Sequence, residues 1–261
     1  MSDGQIAVVT GASSGIGEAT ARELAKRGWR TVLLARREER LAAVAGELGA
    51  EYEVCDVADR AQVDAVAARI LERHPAIALL VNNAGIPARG SFLDIEPERI
   101  EQVLAVNYLG AVWCLRAFEP GLLAAAAARG SHVVNLVSVA GTVAFASAGA
   151  YSAAKHAQLA FSRSTAALLR GSGIQVHTVM PGFVETEGFP QRTALRSRLL
   201  RRFIIDADRV GETIVDAVEK GKSEVTVPWF PYRFVSIAQA LVPGLFAAFA
   251  GRAGYHRGEA R

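Results

Sequence analysis

The chain has 261 residues, 51% hydrophobic and 21% charged, which is enough to bury a full core in one α/β domain and excludes global disorder. Its net charge of +3 is carried almost wholly by arginine, with no basic face interleaved with aromatics, so no nucleic-acid partner is expected. Cys55 and Cys114 lack any partner spacing and no basic, apolar leader precedes the first strand, so no metal site, no disulfide framework and a cytoplasmic location are expected.

The first predicted element is a strand at 5–10. It runs into Thr10-Gly11-Ala12-Ser13-Ser14-Gly15-Ile16-Gly17, which opens a helix over 15–28. Three glycines here let the backbone turn sharply, approach a pyrophosphate closely and pack the helix on the strand. The helix N-terminus offers free N–H groups and a partial positive charge to phosphate. Gly11, Ser13, Ser14, Gly15, Ile16 and Gly17 are therefore candidates to bind a dinucleotide.

A second strand, 30–35, ends in Ala35-Arg36-Arg37 and leads into a helix at 37–48. An acid at that strand end would accept from the ribose 2′-hydroxyl of NAD, whereas a guanidinium suits the 2′-phosphate of NADP. Arg36 is expected against that phosphate with Arg37 assisting, so NADP(H) is the expected cofactor and an NAD-dependent enzyme the alternative. A third strand, 51–55, precedes Asp56-Val57 and a helix at 59–74. Asp56 can accept from an adenine amino group, cap that helix, or do both. A fourth strand, 77–82, ends in Asn82-Asn83-Ala84-Gly85, small and polar residues suited to the crevice at strand ends where such sheets bind ligands.

The helix predicted over 97–119 contains Asn107, a poor helix former that needs a task there, such as holding a water in a proton relay. A fifth strand, 131–137, closes on Ser138, which can hold a substrate oxygen or cap a turn. A helix over 150–170 carries Tyr151 and Lys155 four apart, hence on one face. A protonated lysine nearby lowers a phenol from its usual pKa of about 10. The shifted phenol is a usable acid or base near neutral pH. A sixth strand at 174–180, a helix at 208–220 and a strand at 223–227 complete the alternation.

The first six strands read as apolar throughout, the pattern of parallel strands covered on both faces. The fold class is α/β: a doubly wound parallel sheet of about seven strands with helices on both faces, in one domain over 1–261. Two stretches depart from it. Residues 186–206, with five arginines at 192, 196, 198, 201 and 202, are expected to form a substrate lid. Residues 228–250 are an apolar C-terminal extension, beginning Trp229-Phe230-Pro231-Tyr232, that lines a pocket, covers a subunit interface or lies on a membrane. Its apolar part, 235–250, is short of a membrane span.

Thr10–Gly17, Asp56, Asn82–Gly85, Asn107, Ser138, Tyr151, Lys155 and Pro181-Gly182 together resemble, in order and spacing from about residue 5 to 227, the short-chain dehydrogenase/reductase family. The resemblance implies a Rossmann-like fold and a tetrad of Asn107, Ser138, Tyr151 and Lys155. It implies hydride transfer between NADP(H) and a carbonyl or alcohol, with Tyr151 as general acid and base. It also implies that Lys155 bonds the nicotinamide ribose and that Asn107 anchors a relay water. In Pro181-Gly182-Phe183-Val184-Glu185-Thr186, Val184 and Thr186 are implied to fix the nicotinamide carboxamide. The implied cofactor site therefore joins the glycine turn, Arg36, Arg37, Asp56, Val57, Asn83, Ala84, Gly85, Tyr151, Lys155, Pro181, Gly182, Val184 and Thr186. A homotetramer or homodimer using helices near 97–120 and 150–170 is the implied assembly. The rival readings are a membrane-surface lipid or steroid ketone reductase and a non-catalytic NADPH-binding regulator, which would be free to lose Tyr151 or Lys155. Substrate identity is not readable.

Overall fold

The computed structural model describes residues 4–191 and 201–244. Short β-branched runs form its strands, and Ala-, Leu- and Glu-rich runs form the helices that cover them. The first half comprises β1 (Ile6–Thr10), α1 (Gly15–Lys26), β2 (Arg30–Ala35), α2 (Glu38–Leu48), β3 (Glu51–Val54), α3 (Arg60–Arg73) and β4 (Leu79–Asn82). The second comprises α4 (Pro97–Leu104), α5 (Gly110–Arg129), β5 (Ser131–Leu136), α6 (Gly149–Leu168), β6 (Ile174–Pro181), β7 (Val184–Glu185), β8 (Ile205–Asp206), α7 (Ala207–Glu219), β9 (Glu224–Val227) and α8 (Tyr232–Leu241).

Seven strands make one sheet in the order β3-β2-β1-β4-β5-β6-β9, with every pairing parallel. The chain runs outward from β1 to β3, then returns to lay β4 on the other side of β1. That reversal opens a crevice at the carboxyl ends of β1 and β4, where the glycine turn lies. The central strands are wholly buried because helices cover both faces. Leu33, Leu79 and Val81 face α1, α2 and α7, whereas Val8, Leu80 and Val133 face α3 and α5. Fully burying each such side chain contributes about 1.5–3 kcal/mol. α1 and α7 approach so closely that a Cβ on Gly211 would stand 2.9 Å from the backbone of Ala19.

Two expectations need correction. β3 is not apolar throughout: Glu51 and Glu53 alternate with Tyr52 and Val54 along a partly exposed strand. The cause is its place at the sheet edge, where the glutamates pair with Arg69 and Arg73 of α3 at 2.7–3.2 Å. The helix expected over 97–119 is also not uniform. α4 and α5 are joined by a π-helical turn at Ala105–Leu109, a widening found often at functional sites. Asn107 lies in that turn, and Gly110 just beyond it is pressed onto Val57, whose Cγ2 would be 2.8 Å from a Cβ there. The run Pro97–Arg129 has the length and apolarity of a membrane span, but its Cys114, Phe118 and Leu122 are buried against the sheet.

β7 and β8 form a separate two-residue parallel ladder that closes the base of the 186–206 stretch. Arg192, Arg196 and Arg198 of that stretch lie outside the described residues, and Arg201 and Arg202 are exposed. In the C-terminal extension Tyr232 and Ser236 are buried, whereas Trp229, Phe230, Phe234 and Leu241 are exposed. Residues 245–250 lie outside the described residues.

Candidate active site

The glycine turn is held open from below by the end of β4. Thr10 Oγ1 donates to Val81 O and accepts from the backbone N–H groups of Asn83 and Ala84, both at 3.0 Å. Asn83 Nδ2 donates to Thr10 O at 2.7 Å and to Gly11 O at 3.3 Å. Two of the turn's glycines have no room for a side chain: a Cβ on Gly11 would stand 2.8 Å from Asn83 Nδ2, and one on Gly17 would collide with Gly11 O and that same Nδ2. Asn83 therefore clamps the turn as well as lining the cleft, while Ala84 packs into the core below.

At the end of β2 the two arginines part. Arg36 Nη1 stands 3.6 Å from Asp56 Oδ2. Arg37 reaches back over the glycine turn, where its guanidinium donates to Ser13 Oγ at 3.2–3.3 Å and to Ser14 Oγ. Glu187, from the segment after β7, pairs with Arg40 and stands 3.8 Å from Arg37 Nη1. The sequence placed Arg36 foremost on the phosphate; in the fold Arg37 is the residue seated on the turn. Asp56 does not cap α3. That cap is Asp59, which accepts from Ala61 and Gln62 N–H, while Asp56 Oδ1 accepts from Ala58 N at 3.0 Å. Val57 is a core residue packed on Gly110.

The tetrad residues converge on one cleft with Gly11, Ser14, Gly15, Ile16, Gly17 and Gly85. Asn107 is wholly buried; its amide donates to Val103 O and Ile86 O and accepts from Ile86 N, which ties the π-helical turn to the loop after β4. Gly85 allows this contact, since a Cβ there would stand 2.7 Å from Asn107 Oδ1. Ser138 Oγ accepts from Ala140 N at 3.1 Å and lies 3.5 Å from Pro181 O. Lys155 Nζ lies 5.8 Å from the Tyr151 ring centre and is 3% exposed. It donates to Leu136 O at 2.9 Å and to Gln158 Oε1 at 2.7 Å. Burial pushes its ammonium down to about 7.

Pro181, Gly182, Val184 and Thr186 border the same cleft, and Thr186 packs on Gly15. Behind them Tyr232 of α8 fills the space a Gly182 side chain would need, and its hydroxyl accepts from Phe183 N and donates to Phe203 O. The outer wall is aromatic: Phe189 stands 5.7 Å from Tyr151, and Phe145 6.2 Å from Phe183, centre to centre. Of Ser13, Arg36, Arg37, Asp56, Val57 and Ala84, none lines this cleft.

The profile of the short chain dehydrogenase family matches residues 5–196. The chain belongs to the short-chain dehydrogenase family. It is 35% identical, over 222 residues, to a Streptomyces violaceoruber protein named for a ketoacyl reductase of granaticin polyketide synthase, covering 83% of this chain and 80% of that protein. Among solved structures, a short chain dehydrogenase/reductase of Burkholderia phymatum in complex with NAD superposes with a TM-score of 0.79 at 29% identity, over 92% of this chain and 95% of that one. An actinorhodin polyketide ketoreductase with NADPH superposes with a TM-score of 0.77 at 28% identity, over 87% and 97%.

This dehydrogenase is thus an oxidoreductase that passes a hydride between a nicotinamide dinucleotide and a carbonyl or alcohol. The residues present fit such a group: a turn whose glycines bare the backbone at a helix N-terminus, and a buried lysine with one donor beyond its two bonds. Gln158, Phe145 and Phe189 were not singled out for the site from sequence, whereas Phe183 and Tyr232 stood in segments read as bordering the nicotinamide and as a possible pocket lining. For Gln158 a signal existed: 151, 155, 158 and 162 follow the helical period, and all four are polar.

Proposed function

We propose that the dehydrogenase is an NADPH-dependent reductase of uncharged, apolar carbonyl compounds, with Tyr151 as its general acid. The end of β2 carries the cofactor reading: Ala35 in place of an acid at the strand end, two guanidiniums directly after it, and Arg37 bonded across the glycine turn. A 2′-phosphate brings close to two negative charges and needs such partners. Loss of a hydrogen bond to a charged group costs about 1.5–3 kcal/mol, or roughly one to two decades of affinity. Kinetics with NADPH and NADH test this. The kcat/KM ratio is expected to exceed one in wild type, to fall by at least that range when Arg36 and Arg37 are both replaced by Ala, and to fall in Ala35→Asp. A wild-type ratio below one would assign NAD instead.

When bound, the dinucleotide supplies or accepts the hydride. The chain's own groups manage the rest. Gly11, Gly15 and Gly17 would give close access to the dinucleotide's pyrophosphate, and Lys155 Nζ would hold its ribose. Ser138 Oγ donates to the substrate oxygen. Tyr151 Oη hands that oxygen its proton, and the charge of Lys155 stabilises the phenolate left behind.

The aromatic wall supports the substrate class. Phe145, Phe183 and Phe189 line the cleft beside Tyr151, and Lys155 is the one charged lining side chain among the described residues. Phe189→Ala is expected to lower kcat/KM for an aryl alkyl ketone by about tenfold or more, since burying such a ring contributes roughly 1.5–3 kcal/mol, and to change little for a small aliphatic ketone. Equal losses on both substrates would remove Phe189 from substrate recognition.

A further inference from the structure

Along the buried face of α6, Tyr151, Lys155, Gln158 and Ser162 succeed one another at helical spacing. Lys155 and Ser162 bond to the strands below, and Gln158 bonds to Lys155 itself. Lys155 Nζ donates to Leu136 O and Gln158 Oε1, and Ser162 Oγ meets Asn135 Nδ2 at 2.9 Å and Thr178 Oγ1 at 2.7 Å. Gln158 is 1% exposed. A polar side chain so placed destabilises a core unless it is bonded, and an apolar residue would fill the volume without that penalty. The ammonium it touches is equally short of water, so protein acceptors must stand in for hydration.

No ionised side chain among the described residues relieves that burial. Among the described residues, β5, β6, α4, the 105–109 turn and the 139–141 turn bring no carboxylate or guanidinium to bear on Lys155, and the titratable group facing it is Tyr151 on its own helix. The two neutral acceptors, one fixed in the backbone of β5 and one on a side chain, therefore decide how well the charge is held. Only the second can be set by a choice of residue.

We infer that Gln158 is a positioning residue for proton transfer: its amide oxygen holds the Lys155 ammonium in place and charged, beside Tyr151. With burial drawing Lys155 down to about 7, losing one acceptor changes its charge at neutral pH. The effect on turnover rests on the part proposed above for Lys155; the effect on the lysine itself does not.

The chain has four lysines, Lys26, Lys155, Lys220 and Lys222, so titration of the full chain labelled with ¹³Cε-lysine resolves them, and Lys155→Met assigns the signal. A hydrogen bond to a charged group shifts a titration by about one to two pH units, so Gln158→Met is expected to lower the Lys155 midpoint by that amount. Gln158→Glu is expected to raise it, and still tests the inference if the Met variant does not fold. The alkaline limb of kcat/KM for carbonyl reduction with NADPH should move to lower pH in Gln158→Met. A Lys155 midpoint unchanged in both variants overturns the inference. A midpoint that moves under a fixed pH profile overturns the part of Lys155 in turnover, and leaves the contact standing.

Discussion

Tyr151→Phe is expected to reduce turnover by about a hundred- to ten-thousandfold, the range a positioned general acid supplies, while dinucleotide affinity stays near wild type. The substitution removes one oxygen and keeps the ring. That ring packs tilted against Phe189, so the cleft wall survives, and neither the glycine turn nor Lys155 loses its anchoring bonds. The check is kcat on an aryl ketone together with Kd for NADPH by fluorescence titration. Wild-type kcat in the variant would assign the proton to another group. Dinucleotide binding by wild type with no turnover across ketones, aldehydes, quinones and 3-oxoacyl thioesters would revive the reading of a regulator that senses the cofactor.

Lys155→Met should remove most turnover and also change how stability depends on pH. In the unfolded chain a lysine titrates near 10.4, whereas burial in the fold draws Lys155 down to about 7. Between those values the unfolded chain binds the extra proton, so wild-type stability rises with pH across that window, by up to about 1.4 kcal/mol per unit. Below about pH 7 both states carry the proton and the full desolvation penalty is present. The Met variant has no such group, and its stability curve should be flatter from pH 7 to 10. Its absolute stability reflects two opposed effects. The desolvation penalty is gone, but Leu136 O and Gln158 Oε1 lose their donor at about 1–3 kcal/mol for each buried group left unbonded. The slope is therefore the decisive quantity. Urea unfolding at several pH values from 6 to 10 measures it, and parallel curves for the two proteins would mean that Lys155 titrates in the fold as it does in water.

The features legible in the amino-acid order are those whose physics is local. Three glycines at the head of a helix announce a turn that backbone or phosphate approaches closely, and Gly11 and Gly17 have no space for a Cβ. Tyr151 and Lys155 share a face because the helical period puts them there, whatever else surrounds them. β1, β2 and β4 announced a parallel sheet through their largely apolar runs, although polar residues such as Asn135 and Thr178 interrupt β5 and β6, and the alternation of strand with helix announced the double winding.

What the order of residues left open depends on which elements become neighbours. β3 was read as a covered strand, but its acidic side chains belong to a sheet edge, and edge position follows from the strand order rather than from the strand itself. Asn107 stood out as a misfit in a helix; its π-helical turn is secured by hydrogen bonds with Ile86, from a loop distant in sequence. Arg36 and Arg37 are adjacent and alike in sequence, and only the position of the glycine turn sends one to Asp56 and the other to Ser13 and Ser14. Likewise Phe189 reaches Tyr151, and Tyr232 reaches Gly182, through the packing of segments that no short-range pattern joins. Sequence by itself thus determined the chemistry this chain carries, since spacing along one helix or turn is set by backbone geometry. The tertiary structure decided which side chains surround that chemistry, because contacts between remote segments form only when the sheet brings their ends together.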